Sequence, residues 1–275
     1  MRQVTDVREW QDVLYAMLCL YADFCEARGL RYQLFGGTLL GAVRHQDFIP
    51  WDDDIDVAMP RPDYERFLEE YERSPIPGTL LMTLPFAFIK LTDARTRRLE
   101  GMRNRYKLGA DIDIFPIDGA EWDDEYVREQ ARHMRANRER VRLGMMALTA
   151  EKELPPTRRV LRTLHRVVKR FPYWFLPPKM FARRIVSDIS RLPPDTSPRA
   201  GALGTWGEPA LLERDEILQT VPLRFRDRMF PCPRGYDRLL TQKYGDYMAV
   251  PPQEKRVSHP GRLYIDDEPG DAHGH

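Results

Sequence analysis

Apolar residues recur at alternating steps of three and four from Val7 through Trp10, Leu14, Met17, Tyr21 and Phe24. That spacing lays one stripe along a helix over 6–28, with Gly29 at its stop position. Tyr32-Gln33-Leu34-Phe35 reads as a short strand, and Gly36-Gly37-Thr38 opens a short apolar helix pattern. At 54–59 the period falls to two: Ile55 and Val57 alternate with Asp54 and Asp56, as in a strand with one polar face. Pro62, Asp63 and Glu65 suit the start of a second helix, with Tyr64, Phe67, Leu68 and Tyr71 on one face. The run from Ser74 to Gly78 ends it, with two prolines and a glycine. Strands are expected at 80–84 and 86–91, divided by Pro85, with Lys90 ending the second. Alternation returns at 111–114, and helices are expected at 123–143, 158–170, 180–192 and 235–244. The glycine-rich stretch 201–207, with Trp206, reads as a short strand or a loop.

The chemistry concentrates where the period is two. Asp52, Asp53, Asp54 and Asp56 crowd together, and a strand places Asp52, Asp54 and Asp56 on one face. Carboxylates so placed repel one another and raise each other's pKa unless a positive partner balances them. Mg²⁺ takes oxygen ligands and is bound by one or two carboxylates together with substrate phosphate. Two such ions clamp the attacking and leaving oxygens of a phosphoryl displacement. The plainer reading is a solvated acidic loop. A calcium helix-loop-helix site is excluded, since its glycine and closing glutamate are missing. Upstream, Gly36 and Gly37 allow close backbone approach, and the helix start offers free N–H groups to a phosphate; the plain alternative is a turn. Asp111 and Asp113 share a face of an otherwise apolar strand, which is costly unless they are paired or bind metal. Asp118, followed by Gly119, reads as a turn residue. Asp93, Arg95 and Arg97 read either as a solvated turn or as a cationic rim that meets phosphates.

The run GGTLLGAVRH…FIPWDDDIDVAMPR resembles the signature of the LicD family, which includes bacterial phosphocholine transferases and fukutin-related proteins on the nucleotidyltransferase superfold. The resemblance implies that Asp54 and Asp56 form the Asp-x-Asp pair and that Arg44 and His45 are the family's Arg-His. Lys90 and Asp93 match a Lys-x-x-Asp element. The 111–118 run matches an Asp-Ile-Phe-Pro motif that places the third carboxylate at Asp113, with Asp111 in reserve. Tyr244-Gly245-Asp246-Tyr247-Met248, Pro251-Pro252, Arg256 and His259 resemble a carboxy-terminal signature, in which Arg256 or His259 closes over a donor while Tyr244 and Met248 pack. The expectation is a metal-dependent transferase using Mg²⁺, with Mn²⁺ as a substitute. It moves phosphocholine or a polyol phosphate from a CDP-linked donor to a glycan hydroxyl, with Gly36, Gly37, Thr38, Arg44, His45 and Lys90 around the donor. The alternatives are an NTP-dependent nucleotidyltransferase, a phosphohydrolase and a non-catalytic nucleotide-binding protein.

Composition narrows this further. The 43 basic and 42 acidic residues nearly cancel, which argues against a nucleic-acid binder. Cys19, Cys25 and Cys232 have neither disulfide nor zinc spacing, which fits a reducing compartment. No apolar run at the start or elsewhere suits a signal peptide or a spanning helix, so a cytoplasmic protein is expected. A basic amphipathic segment at 158–175, ending in Phe171, Tyr173, Trp174 and Phe175, suits peripheral contact with an anionic membrane; the plain reading is a helix with a wet basic face. The fold expected is mixed α/β: a small mixed twisted sheet flanked by helices, as one domain over 1–265. It carries a helical insertion near 125–225 and a frayed tail from 266.

Overall fold

The computed structural model describes residues 1–83, 88–99, 109–145, 156–173, 178–203, 211–256 and 262–266. The elements begin β1 (Arg2–Val4), α1 (Val7–Ala27), β2 (Gln33–Leu34), α2 (Gly36–His45), β3 (Ile55–Pro60) and α3 (Arg61–Arg73). They continue β4 (Thr79–Thr83), β5 (Ile89–Asp93), β6 (Thr96–Leu99), β7 (Asp111–Ala120), α4 (Asp124–Met145), α5 (Pro156–Arg170) and α6 (Pro178–Ile189). Last come β8 (Arg199–Gly201), β9 (Leu212–Glu213), α7 (Arg214–Leu218), β10 (Thr220–Phe225), β11 (Arg228–Pro233), α8 (Tyr236–Tyr244) and β12 (Arg262–Ile265). The class is mixed α/β, as the patterning implies.

One sheet runs β2-β3-β7-β5-β4, and β8 and β9 extend it from the far half of β7. β3 and β7 are parallel, and the other pairs are antiparallel. All ten residues of β7 are buried, because β3 and β5 flank its first half and β8 pairs with its end. Ile55, Val57, Ile112 and Ile114 are fully buried, and this apolar side of the two strands anchors the sheet in the core. The α1 stripe is buried as its spacing requires, and Asp6 caps the helix by accepting the Arg8 N–H. Tyr21 and Phe24 meet Phe67 of α3 with ring centroids 5.5 Å apart, which fixes the two helices together. A second, smaller core forms where Met134 and Val141 of α4 meet Phe181, Ile185 and Ile189 of α6.

Several expectations are corrected. Lys90 does not end its strand: β5 runs Ile89–Asp93, because β7 and β4 pair with it past Lys90. Asp118 is no turn residue but lies inside β7, fully buried, where Arg61 donates two hydrogen bonds of 2.7 Å to it. Gly119 is small for a different reason: a Cβ there would come within 2.1 Å of the Ser197 hydroxyl. Residues 262–265, inside the expected domain, form β12, held between β1 and β6. Met248 is exposed rather than packed, whereas Tyr244 is exposed over part of its surface with its phenol group buried. Pro85, Phe86, Trp174, Phe175, Trp206, Gly207 and His259 lie outside the described residues.

Candidate active site

The parallel pairing of β3 and β7 brings the two acidic segments together. Asp56 stands opposite Asp113 in register, and Asp113 stands opposite Lys90 of β5. Residues paired in this way share a face of the sheet, while Ile55, Val57, Ile112 and Ile114 take the other. Asp111 lies two residues before Asp113 on the same face, and Asp54 lies two before Asp56. The electrostatics report the crowding. Burial pushes the Asp113 carboxyl well above the usual carboxylate range, Lys90 offsets part of this, and Asp111, Asp56 and Asp54 add to the upward push. The Lys90 ammonium donates to Asp111 Oδ2 and Asp113 Oδ1. Burial works against its charge, but the two aspartates outweigh burial and hold its pKa above the ordinary lysine value. Lys90 is therefore an internal counterion within the sheet, not part of a rim with Arg95 and Arg97.

Asp56 is held from three directions. Its carboxylate accepts the Gly37 N–H at 2.9 Å, its own N–H donates to Thr38 Oγ1 at 2.9 Å, and its carbonyl accepts the Phe35 N–H at 3.0 Å. The N-cap residue of α2, Phe35, supplies no side-chain bond, so Asp56 satisfies an amide at the positive end of that helix. This explains the glycine pair. Gly36 has φ +53°, and a Cβ on it would fall 1.9 Å from Asp56 Oδ2. A Cβ on Gly37 would fall 2.8 Å from Asp52 Oδ2. Gly36→Ala is expected to cost roughly 2 kcal/mol or more of stability, from strained backbone and a displaced carboxylate. A chemical denaturation midpoint equal to wild type would contradict this packing.

The acidic run is anchored by α1. Trp10 Nε1 donates to the Asp53 carbonyl at 3.1 Å, and Gln11 Nε2 donates to the carbonyls of Ile49 and Asp52 at 3.2 and 2.8 Å. Carboxylate oxygens of Asp52, Asp53 and Asp54 all lie within 4.8 Å of one another. Asp53 is engaged by Arg98 of β6, which donates to its carboxylate at 2.9 Å and to its carbonyl at 2.7 Å. Asp52 instead lies against Gly37 and belongs with Asp54 and Asp56. Its matching parity in the strand was the available signal, and Asp53 breaks that parity.

The other candidates fall into two groups. Arg44 and His45 end α2, about 12 Å of helix rise from Gly36. Arg44 donates from Nε to His45 Nε2 at 2.9 Å and from NH1 to the Tyr247 carbonyl at 2.7 Å, which ties the carboxy-terminal signature to the motif helix. Burial, followed by the Arg44 charge, lowers the His45 pKa, so this imidazole is a neutral acceptor. The Tyr244 phenol feels both groups: burial, then Asp56, Asp52 and Asp54, hold it above the ordinary value, while Arg44 pulls it down. Arg256 lies over the Trp51 ring at 5.1 Å, one residue before Asp52. Asp93 stands apart from the acidic face: it is buried and accepts from the backbone and guanidinium of Arg95, which pins the β5–β6 turn.

The donor set on the acidic face fits a hard divalent cation. Asp52, Asp54, Asp56, Asp111 and Asp113 offer oxygen only, and the upward push on Asp113 is what a further positive charge relieves. Residues 29–142 match the family model described as LicD/FKTN/FKRP, nucleotidyltransferase domain. The chain is 28% identical over 270 residues to the lipopolysaccharide cholinephosphotransferase LicD of Haemophilus influenzae, covering 94% of this chain and 97% of that protein. It is 34% identical over 92 residues to the mouse ribitol 5-phosphate transferase FKRP, covering 34% of this chain and 18% of that protein. Its human counterpart is 62% identical over 34 residues, covering 12% of this chain and 7% of that protein.

Proposed function

We propose, from the membership of this chain in the LicD/FKTN/FKRP nucleotidyltransferase family through residues 29–142, that it transfers a phospho-substituent to a glycan hydroxyl. The donor is CDP-choline or a CDP-polyol; its distal phosphate travels with the alcohol, and CMP is released. The relatives named above move cholinephosphate and ribitol 5-phosphate, which supports a phospho-alcohol as the transferred group. The observation that carries the reading is the in-register pairing of Asp56 with Asp113 beside Lys90.

Asp54, Asp56 and Asp113, with Asp111 and Asp52 adjacent, would hold Mg²⁺ or Mn²⁺. When bound, the ion supplies positive charge against the donor's phosphate oxygens. Asp113, in register with Asp56, takes the proton of the acceptor hydroxyl. The acceptor oxygen forms a bond to the distal phosphorus as the bond to the CMP oxygen breaks. Lys90 keeps Asp111 and Asp113 oriented, and Gly36 and Gly37 leave the space that the Asp56 and Asp52 carboxylates fill. Arg44 ties the Tyr247 carbonyl to the end of the motif helix.

Incubation with a panel of CDP-linked donors and Mg²⁺, with and without glycan acceptors, tests this reading. The expected result is acceptor-dependent release of CMP. Release of pyrophosphate from an NTP marks the nucleotidyltransferase alternative, and free phosphocholine without acceptor marks a hydrolase.

A further inference from the structure

α5 turns its apolar face outward. Val160, Leu161, Leu164, Val168 and Phe171 recur at helical spacing, and each is between 57% and 67% exposed. Five large apolar groups on one stripe are unusual on a free surface, where such residues are normally scattered. The half-buried side is the more polar one: Thr163, Arg166, Val167 and Arg170 are partly covered, and α5 is held to the body through α4. Next to the apolar stripe stand the exposed cations Arg158, Arg162 and Lys169. The helix contains no acidic residue.

We propose that α5 is an interfacial anchor that lies in the headgroup region of an anionic lipid bilayer. An apolar stripe flanked by cations, on a helix too short and too charged to span, is the form such anchors take. No helix among the described residues is long and apolar enough to cross a membrane, so attachment is peripheral. The charge selects lipid over a second copy of the chain. Pairing two α5 helices through their stripes brings two flanks of like positive charge together, whereas anionic headgroups attract them. The aromatic Phe171 at the end of the helix suits the same depth. Lipid binding is independent of the transfer reaction. It complements the proposed function by keeping the enzyme where a lipid-linked glycan acceptor resides.

The test is flotation of the full chain with vesicles of phosphatidylcholine alone and of phosphatidylcholine with phosphatidylglycerol, without donor or acceptor. The expected result is at least about tenfold stronger binding to the anionic vesicles, weakened by salt. Leu164→Asp with Val168→Asp should abolish binding. Both side chains are exposed, so the thermal midpoint and CMP release with a soluble acceptor should stay unchanged. Arg158→Gln with Lys169→Gln should weaken only the anionic preference. Equal binding to both vesicle types, or wild-type binding by the double aspartate variant, would overturn the proposal. So would sedimentation showing that the aspartate pair dissolves a dimer that never floats with lipid. If lipid binding is seen but no donor yields CMP, it is the transferase reading that fails.

Discussion

Asp56→Asn is expected to lower CMP release by roughly a thousandfold or more while the protein stays folded. The amide keeps the size of the carboxylate, and its oxygen can still accept the Gly37 N–H, so the α2 start and the Gly36 turn remain seated. What disappears is one negative oxygen on the face shared with Asp113. The loss should therefore fall on turnover and on cation dependence, with the unfolding midpoint near wild type. Asp56→Ala should lose activity to the same extent and additionally cost about 1 kcal/mol, because the helix amide then loses its acceptor. Steady-state CMP release, measured beside a denaturant titration, separates the two effects. Near-normal turnover by Asp56→Asn would remove this residue from the chemistry.

Lys90→Met should be the most damaging to stability in the absence of divalent cations, by about 3–5 kcal/mol. The ammonium is buried and donates to both Asp111 and Asp113, so methionine fills its volume but leaves two buried carboxylates without their counterion. The pH dependence follows from the upward shift of Asp113, in which Lys90 is the opposing influence. An acid whose folded pKa exceeds its unfolded value binds more protons in the folded state, so stability falls as pH rises between the two. Removing Lys90 extends that window upward. In chelator, the variant should thus be weakest at neutral pH and recover toward pH 4, and Mg²⁺ should restore more stability to it than to wild type. Denaturant midpoints across pH, with chelator and with Mg²⁺, check this. A variant as stable as wild type at neutral pH in chelator would show that the lysine does not offset the acidic face.

The acidic face was legible because strand alternation is strict. Asp54 and Asp56 against Ile55 and Val57, and Asp111 and Asp113 against Ile112 and Ile114, each state one polar and one buried side. That the two strands are parallel neighbours is a tertiary fact that neither segment states; the family resemblance named Asp113 as the third carboxylate, and the strand direction appears only in the fold. The role of Lys90 was hidden for the same reason: its partners lie 21 and 23 residues away. Arg98 and Asp53 are 45 residues apart, so their pairing in the core shows only once β6 is in place. Asp118 was misread because Asp-Gly is a common turn pair; pairing with β8 makes it a strand residue, and the buried Arg61 balances its charge. The β10–β11 hairpin escaped notice because its Arg226-Asp227 turn has no glycine; Arg226 takes φ +59° and is held by Asp47 and by the Gln46 carbonyl. Tyr244 lies beyond any local pattern, since what matters is its place beside the acids.

The account stands on carboxylates from β3 and β7 acting as one cation site. Titration of Mn²⁺ into the metal-free protein, read by the spin-resonance signal of the remaining free ion, tests it most directly. Asp54→Asn and Asp113→Asn, one substitution from each acidic segment, should each weaken binding at least about tenfold. Binding by Asp113→Asn at wild-type affinity would contradict the shared site.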